Sequence, residues 1–314
     1  MKNIWVTGSR GFLGQHLSKA LIKKKYNVSG IGSCKKFNYN EVNHLFKNYV
    51  SGYINKRNLQ KLLDTAGSPD IIFHLAGSSS VGESIKNPLL DFKKTVLSTS
   101  NLLEFIRKKN LSTKVVFTSS AAVYGDIHNK PIKENDKCLP FSPYGCNKLI
   151  AEKLFESYSN NFNIRSSVIR FFSVYGNGAK KQLIWEICRN LYKNKNLIEL
   201  FGNGKEIRDW IYVKDAVKLL IMASDFPYEK SESKGISILN GSSGYHHSVE
   251  EIVITVCKLM ELNPLIQFNQ KTRKGDPNTL IGSNLKTKYL LNFKPDFDIK
   301  NGLSEYIQWF RRKN

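Results

Sequence analysis

The sequence predicts an α/β fold: a Rossmann-like, doubly wound parallel sheet, with a smaller mixed α/β domain toward the C-terminus. Three observations predict it. Short apolar runs alternate with helix-length amphipathic stretches through the first half of the chain, the pattern of strand–helix–strand units. A glycine run follows the first apolar run directly. The second half is broken by glycine-rich loops at Gly176-Asn177-Gly178, Gly202-Asn203-Gly204, Gly241-Ser242-Ser243-Gly244 and Gly275-Asp276-Pro277.

Ile4-Trp5-Val6 reads as a buried strand, and a helix follows from about Leu13 to Lys25. Val28 to Ile31 is the second strand and Asp70 to Leu75 the third. Pro88 opens a helix whose apolar face is predicted at Leu89, Phe92, Val96, Leu103 and Ile106. Val115-Val116-Phe117 is the next strand. Pro143 sits in the first turn of a helix running to about Tyr158, where proline is tolerated. Ser167 to Phe171 is a further strand, and shorter ones are expected near Ile198–Phe201 and Ile236–Leu239. Right-handed crossovers bring the C-terminal ends of parallel strands to one edge, where ligands bind.

Composition excludes several classes. No apolar run approaches the roughly 18 residues of a membrane span, and no signal-peptide pattern opens the chain. A cytoplasmic protein without a membrane span is expected. The five cysteines are scattered, with no C-x-x-C pair, and His246-His247 are adjacent rather than helically spaced, so neither a disulfide framework nor a metal site is expected. The net charge of +22 comes from lysines spread along the whole chain without an aromatic-interleaved basic motif. We therefore expect no nucleic-acid partner.

Three segments carry chemistry. Thr7-Gly8-Ser9-Arg10-Gly11-Phe12-Leu13-Gly14 joins the first strand to the first helix. Its glycines allow a tight turn, close approach of a pyrophosphate and close helix–strand packing, and the helix N-terminus favours phosphate. This predicts a dinucleotide site. The acidic residue that commonly follows the second strand is missing; the run there is Gly30-Ile31-Gly32-Ser33-Cys34-Lys35-Lys36. A neutral loop at Ser33 followed by the two lysines Lys35 and Lys36 suits the 2′-phosphate of NADP better than the free hydroxyl of NAD.

Tyr144 and Lys148 stand four residues apart on one helix face. A nearby ammonium is expected to lower the phenol's pKa, so that Tyr144 can exchange a proton with a carbinol as hydride leaves its carbon. Thr118-Ser119-Ser120 leaves the preceding strand at the same edge, and the Ser120 hydroxyl is expected to hold the reacting oxygen against Tyr144.

These residues together resemble the extended short-chain dehydrogenase/reductase family, in particular its nucleotide-sugar epimerases and reductases. The likeness continues through His74-Leu75-Ala76-Gly77, Val81-Gly82-Glu83-Ser84, Arg170 to Gly176, Arg208 to Asp215, Asn240-Gly241 and Arg273 to Asp276. It implies a cofactor domain over residues 1–174 plus about 213–239, and a nucleotide-sugar domain over about 175–212 plus 240–314. It implies cofactor contacts at Gly8, Arg10, Gly11, Phe12, Leu13, Gly14, Ser33, Lys35, Ile54, Leu75, Ala76, Gly77, Tyr144 and Lys148. Substrate contacts are implied at Ser80, Ser120, Ser173, Arg208 and Arg273, the two arginines taking the diphosphate. A homodimer is implied, through the helices opening at Pro88 and Pro143.

The departures narrow the chemistry. Related 4,6-dehydratases carry an Asp-Glu pair, and related decarboxylases a Glu, where this chain has Ala121-Ala122, which cannot move a proton. Thr95 and Ser173 stand where the family often has Asn, and Tyr53 where it usually has Asp. Two enzymatic readings result, both acting by hydride transfer at C4 of a nucleotide-diphosphate sugar. The first, put ahead because of the missing acidic residue and Lys35 and Lys36, is an NADPH-dependent 4-keto sugar reductase. The second is a 4-epimerase of the UDP-glucose type with tightly held NAD. A non-catalytic dinucleotide-binding protein is the remaining alternative.

Overall fold

The computed structural model describes residues 1–32, 46–126, 130–226, 235–271 and 277–313. The chain divides into two compact units. The first comprises Met1–Val123, Pro140–Arg170 and Val217–Leu239, and the second Tyr124–Leu139, Phe171–Ala216 and Asn240–Asn314. Residues 124–139, inside the range expected for the cofactor domain, thus group with the second unit.

The first unit is built on seven strands: β1 (Asn3–Thr7), β2 (Asn27–Gly32), β3 (Asn48–Ser51), β4 (Ile71–His74), β5 (Lys114–Ser120), β6 (Ser166–Phe171) and β7 (Ile236–Gly241). Their spatial order is β3-β2-β1-β4-β5-β6-β7, and the pairs β3–β2, β2–β1, β1–β4 and β4–β5 are parallel. The strand order reverses between β1 and β4, the topological switch of a Rossmann-like sheet. The central strands are buried on both faces, as apolar runs such as Ile4-Trp5-Val6 and Val115-Val116-Phe117 require. Strand β3 was not anticipated: Asn48-Tyr49-Val50-Ser51 is short, with only Val50 fully inside. Asp70–Leu75 therefore corresponds to the fourth strand rather than the third.

Two helices position the site. α1 (Phe12–Lys23) follows the glycine loop. The second runs from Pro143 to Phe162, longer than expected, and ends on Asn163 in a left-handed conformation (φ 56°); we label it α2.

The helical stretch after Pro88 departs from its prediction. It consists of Pro88–Phe92, a π-helical turn at Lys93–Leu97, and Ser98–Lys108. The expected inward face is partly outward: Leu89 is 64% exposed and Phe92 41%, whereas Asp91 and Thr95 are buried. The π turn inserts a residue and resets the helical phase. A single 3.6-residue period therefore describes Leu102, Leu103 and Ile106 beyond the turn, which are buried, but not the residues before it.

In the second unit, Ile207–Tyr212 pairs with Ser173–Tyr175, His246–Ser248 and Thr279–Leu280. The helix Ile299–Arg311 packs on Ile207–Tyr212. Leu197–Leu200 pairs separately with Leu265–Phe268.

Candidate active site

The glycine loop is shaped by contacts that tolerate no side chain. Gly8 has φ +66°, and a Cβ there would lie 2.8 Å from the backbone of Leu75 and Ala76. A Cβ on Gly14 would lie 2.3 Å from the Gly8 carbonyl oxygen. The loop is therefore pressed against the end of β4 at the topological switch. Gly11 caps α1 without any side-chain hydrogen bond, and the first turn carries no acidic residue. The uncapped N–H groups of this turn suit a pyrophosphate, so these residues fit a dinucleotide. Phe12 and Leu13 form the first turn itself. Arg10 stacks on the Tyr49 ring at 4.0 Å, and the Tyr49 hydroxyl donates to the Gly32 carbonyl at 2.8 Å.

Behind the loop lies a buried relay. Thr99 donates its hydroxyl to the Thr95 carbonyl (2.7 Å), so at 3.1 Å from His74 Nε2 its oxygen can only accept. His74 therefore carries its proton on Nε2, and its bare Nδ1 accepts from Thr7 Oγ1 at 2.8 Å. Thr7 Oγ1 in turn accepts from the Ala76 N–H at 3.1 Å. Burial pushes the His74 pKa down to about 3, with the Lys148 charge acting the same way. The relay ties the end of β1 to the Leu75-Ala76-Gly77 segment and to the π turn. Thr95 completes it by accepting the Ser78 N–H on its own hydroxyl at 3.1 Å.

The start of α2 is fixed twice. Ser142 Oγ accepts from the Gly145 N–H, and Ser84 Oγ accepts from the Tyr144 N–H, both at 3.1 Å. Tyr144 is hydrogen-bonded to the Ser120 side chain. Lys148 Nζ donates to the Thr118 carbonyl at 2.7 Å and lies 6.0 Å from the Tyr144 ring centre. A Cβ on Gly77 would lie 3.3 Å from Lys148 Nζ, so the bare glycine leaves the ammonium its place. The structure thus brings Ser120, Tyr144, Lys148 and Gly77 together.

The electrostatics differ from the expectation. Burial raises the Tyr144 pKa above its ordinary value, the Ser120 hydrogen bond opposes this, and the Asp91 charge adds to it. Lys148 therefore does not by itself bring the phenol down. Burial also lowers Lys148, to about 8, against the opposing charges of Asp91 and Glu152.

Two buried carboxylates were missed by sequence reasoning. Asp91 Oδ2 accepts from Asn147 Nδ2 at 2.7 Å. Glu152 pairs with Arg170 at 2.7 Å, their side chains being 2% and 5% exposed, and also accepts the Ser119 hydroxyl. Glu152 was legible as the residue one helical turn beyond Lys148. Asp91 was signalled only as an acid inside an apolar stretch.

Other expected residues fall elsewhere. The Ile54 side chain is in the hydrophobic core and its carbonyl accepts from Asn101 Nδ2 at 3.0 Å. Ser80 caps the short helix Val81–Lys86 by accepting the Glu83 N–H. Ser173 lies half-buried in a strand of the second unit. Arg208 does not pair with its neighbour Asp209. Its guanidinium donates to the carbonyls of Ile207 (2.9 Å), Asn278 (3.1 Å) and Pro277. Asp209 instead accepts from Ser242, Ser243 and Gly244, shaping that turn. Ser33, Lys35 and Arg273 lie outside the described residues. Among the described residues no cluster of three or more His, Cys, Asp or Glu could hold a metal, and no helix is long and apolar enough to cross a membrane.

A glycine cradle at the switch point, with a Ser/Tyr/Lys constellation on the same sheet edge, defines a nicotinamide-dependent enzyme of the short-chain dehydrogenase/reductase class. The chain belongs to the NAD dependent epimerase/dehydratase family, whose sequence pattern matches residues 4–238. It is 28% identical over 310 residues to a UDP-glucose 4-epimerase of Halalkalibacterium halodurans, covering 94% of this chain and 91% of that one. Among solved structures it resembles the UDP-N-acetylglucosamine 4-epimerase of Methanobrevibacter ruminantium in complex with UDP-N-acetylmuramic acid. That match has a TM-score of 0.87 and 25% identity, and covers 100% of this chain and 99% of the other. It also resembles MoeE5 in complex with UDP-glucuronic acid and NAD, at TM-score 0.86 and 27% identity, with 99% and 100% covered. These relatives support the 4-epimerase alternative, with NAD as the cofactor, better than the reductase reading put first above.

Proposed function

We propose that this protein is an NAD-dependent 4-epimerase of a nucleotide-diphosphate sugar. The observation that carries the reading is the joining of Ser120, Tyr144 and Lys148 at the sheet edge next to the glycine cradle. It is supported by the likeness to sugar-nucleotide 4-epimerases along nearly the whole chain.

The glycine loop and the first turn of α1 would hold the cofactor's pyrophosphate, and Gly77 and Lys148 would contact its nicotinamide half. When bound there, NAD would supply a hydride acceptor for the sugar's C4 and the donor for its return. Tyr144 takes the proton of the C4 hydroxyl as hydride leaves and gives it back on return. Ser120 holds the same oxygen by hydrogen bonding. The Ser120 hydrogen bond opposes the burial that raises Tyr144, and the positive charge of the oxidised ring, added to that of Lys148, would do so further when the cofactor is bound. Ala121 and Ala122 offer no group to abstract a proton at C5, so elimination does not compete. Arg208 and Arg273 are the proposed diphosphate contacts, and Ser80 and Ser173 further proposed contacts to the substrate. Leu89, Leu90, Phe92 and Leu97, at 41–64% exposure, are the proposed contact with a second copy of the chain.

Incubation with UDP-glucose or UDP-N-acetylglucosamine, with no nicotinamide added, tests the reading. Interconversion of the C4 epimers is expected. No interconversion there, with turnover only in a parallel incubation that supplies NADPH and a 4-keto sugar, would overturn it.

A further inference from the structure

Asp91 is 2% exposed and lies in the short helix just before the π turn. One carboxylate oxygen accepts from Asn147 Nδ2; the other has no hydrogen-bond partner among the described residues. No cation lies within salt-bridge distance among those residues. A carboxylate so placed has lost its hydration and gained one amide in exchange, which is costly. An apolar residue of similar size would serve packing better.

The placement suggests what offsets this cost. Asn147, which the carboxylate grips, sits between Tyr144 and Lys148 on α2, adjacent to Lys148. The groups around Lys148 can be named element by element. On α2 itself they are Tyr144 and Glu152. From β4 comes His74, neutral, and from β5 the Thr118 carbonyl with Ser119 and Ser120. From β6 comes Arg170, already paired with Glu152. Glu83 and Lys86, on the helix before Asp91, pair with each other at the surface. Glu152 is offset by Arg170, which leaves Asp91 as the carboxylate near Lys148 with no partner cation of its own.

We propose that Asp91 is a positioning residue for the proton-transfer pair: its carboxylate orients α2 through Asn147 and supplies the counter-charge that keeps Lys148 an ammonium. The inference rests on Tyr144 and Lys148 acting as proposed above. Burial drives Lys148 toward the neutral amine and Asp91 opposes it, while the same charge disfavours the Tyr144 phenolate. Asp91 thus sets the pH window of turnover from both sides.

Asp91→Asn tests this, because the amide can still accept from Asn147 and only the charge is lost. The pH–rate profile of epimerisation is measured for both proteins, together with their urea midpoints. The expected result is a variant at least as stable as the wild type, with its high-pH limb moved to lower pH by on the order of one unit and its low-pH limb moved in the same direction. Coincident profiles, or a variant that does not fold, would overturn the proposal. Tyr144→Phe is run alongside. If it keeps turnover, the catalytic reading fails. If it is inactive while Asp91→Asn matches the wild-type profile, only the role of Asp91 fails.

Discussion

The Tyr144 backbone N–H donates to Ser84 Oγ at 3.1 Å, while the same hydroxyl donates to the Val81 carbonyl at 2.7 Å. Ser84 is fully buried and 60 residues away in sequence. One side chain thus joins the helix after β4 to the first turn of α2, which carries the proposed proton-transfer residue Tyr144.

Ser84→Ala removes this tie and leaves the Tyr144 N–H without its acceptor. A stability loss of about 1 kcal/mol is expected. The larger effect falls on kcat, several-fold down with KM little changed, because the misplaced group acts in the transition state. Steady-state kinetics beside a urea titration check both.

Tyr144→Phe keeps the ring and deletes the proton carrier. Turnover is expected to fall about a hundred- to ten-thousand-fold, with NAD retention and the urea midpoint near wild type. Activity within a few-fold of wild type would show that another group moves the proton.

Much of this site was legible in the sequence, for physical reasons. The glycine loop is readable because its backbone forbids side chains: Gly8 and Gly14 would each collide with backbone. Tyr144 and Lys148 are readable because helical spacing alone puts them on one face. Strand β3 was not, since a four-residue edge strand with one buried apolar side chain carries too little pattern. Asp91 and Thr95 were hidden by the π turn, whose phase shift sends apolar Leu89 and Phe92 outward and polar neighbours inward. The His74 tautomer follows from which hydroxyls are already spent, and that is a matter of three-dimensional contact alone.

Gly8→Ala adds a methyl group to a left-handed residue packed against Leu75 and Ala76. The backbone conformation alone costs roughly 1–2 kcal/mol, and the collision adds to it. Loss of co-purifying NAD is expected before loss of fold. Absorbance of the released nucleotide, set against a thermal melt, separates the two.

His74 sets a pH dependence of stability. Its folded pKa is about 3, below the ordinary value of 6.5. The unfolded chain therefore binds the extra proton first, and the contribution is complete above about pH 6.5 and lost as pH falls toward 3. The loss is ~1.4 kcal/mol per pH unit within that window. His74→Gln removes this component, so its urea midpoint is expected to fall less between about pH 7 and pH 5 than that of the wild type. Parallel declines in the two proteins would contradict the buried neutral imidazole.

The most direct test of the central claim uses a UDP-sugar carrying deuterium at C4, with no cofactor added. In the proposed epimerisation hydride leaves C4 and returns to the opposite face of the same carbon, so the C4 epimer is expected with deuterium retained at C4 and none gained from solvent. Epimer that has exchanged its C4 label with solvent, or no epimer here while a parallel incubation with NADPH reduces the 4-keto sugar, would contradict it.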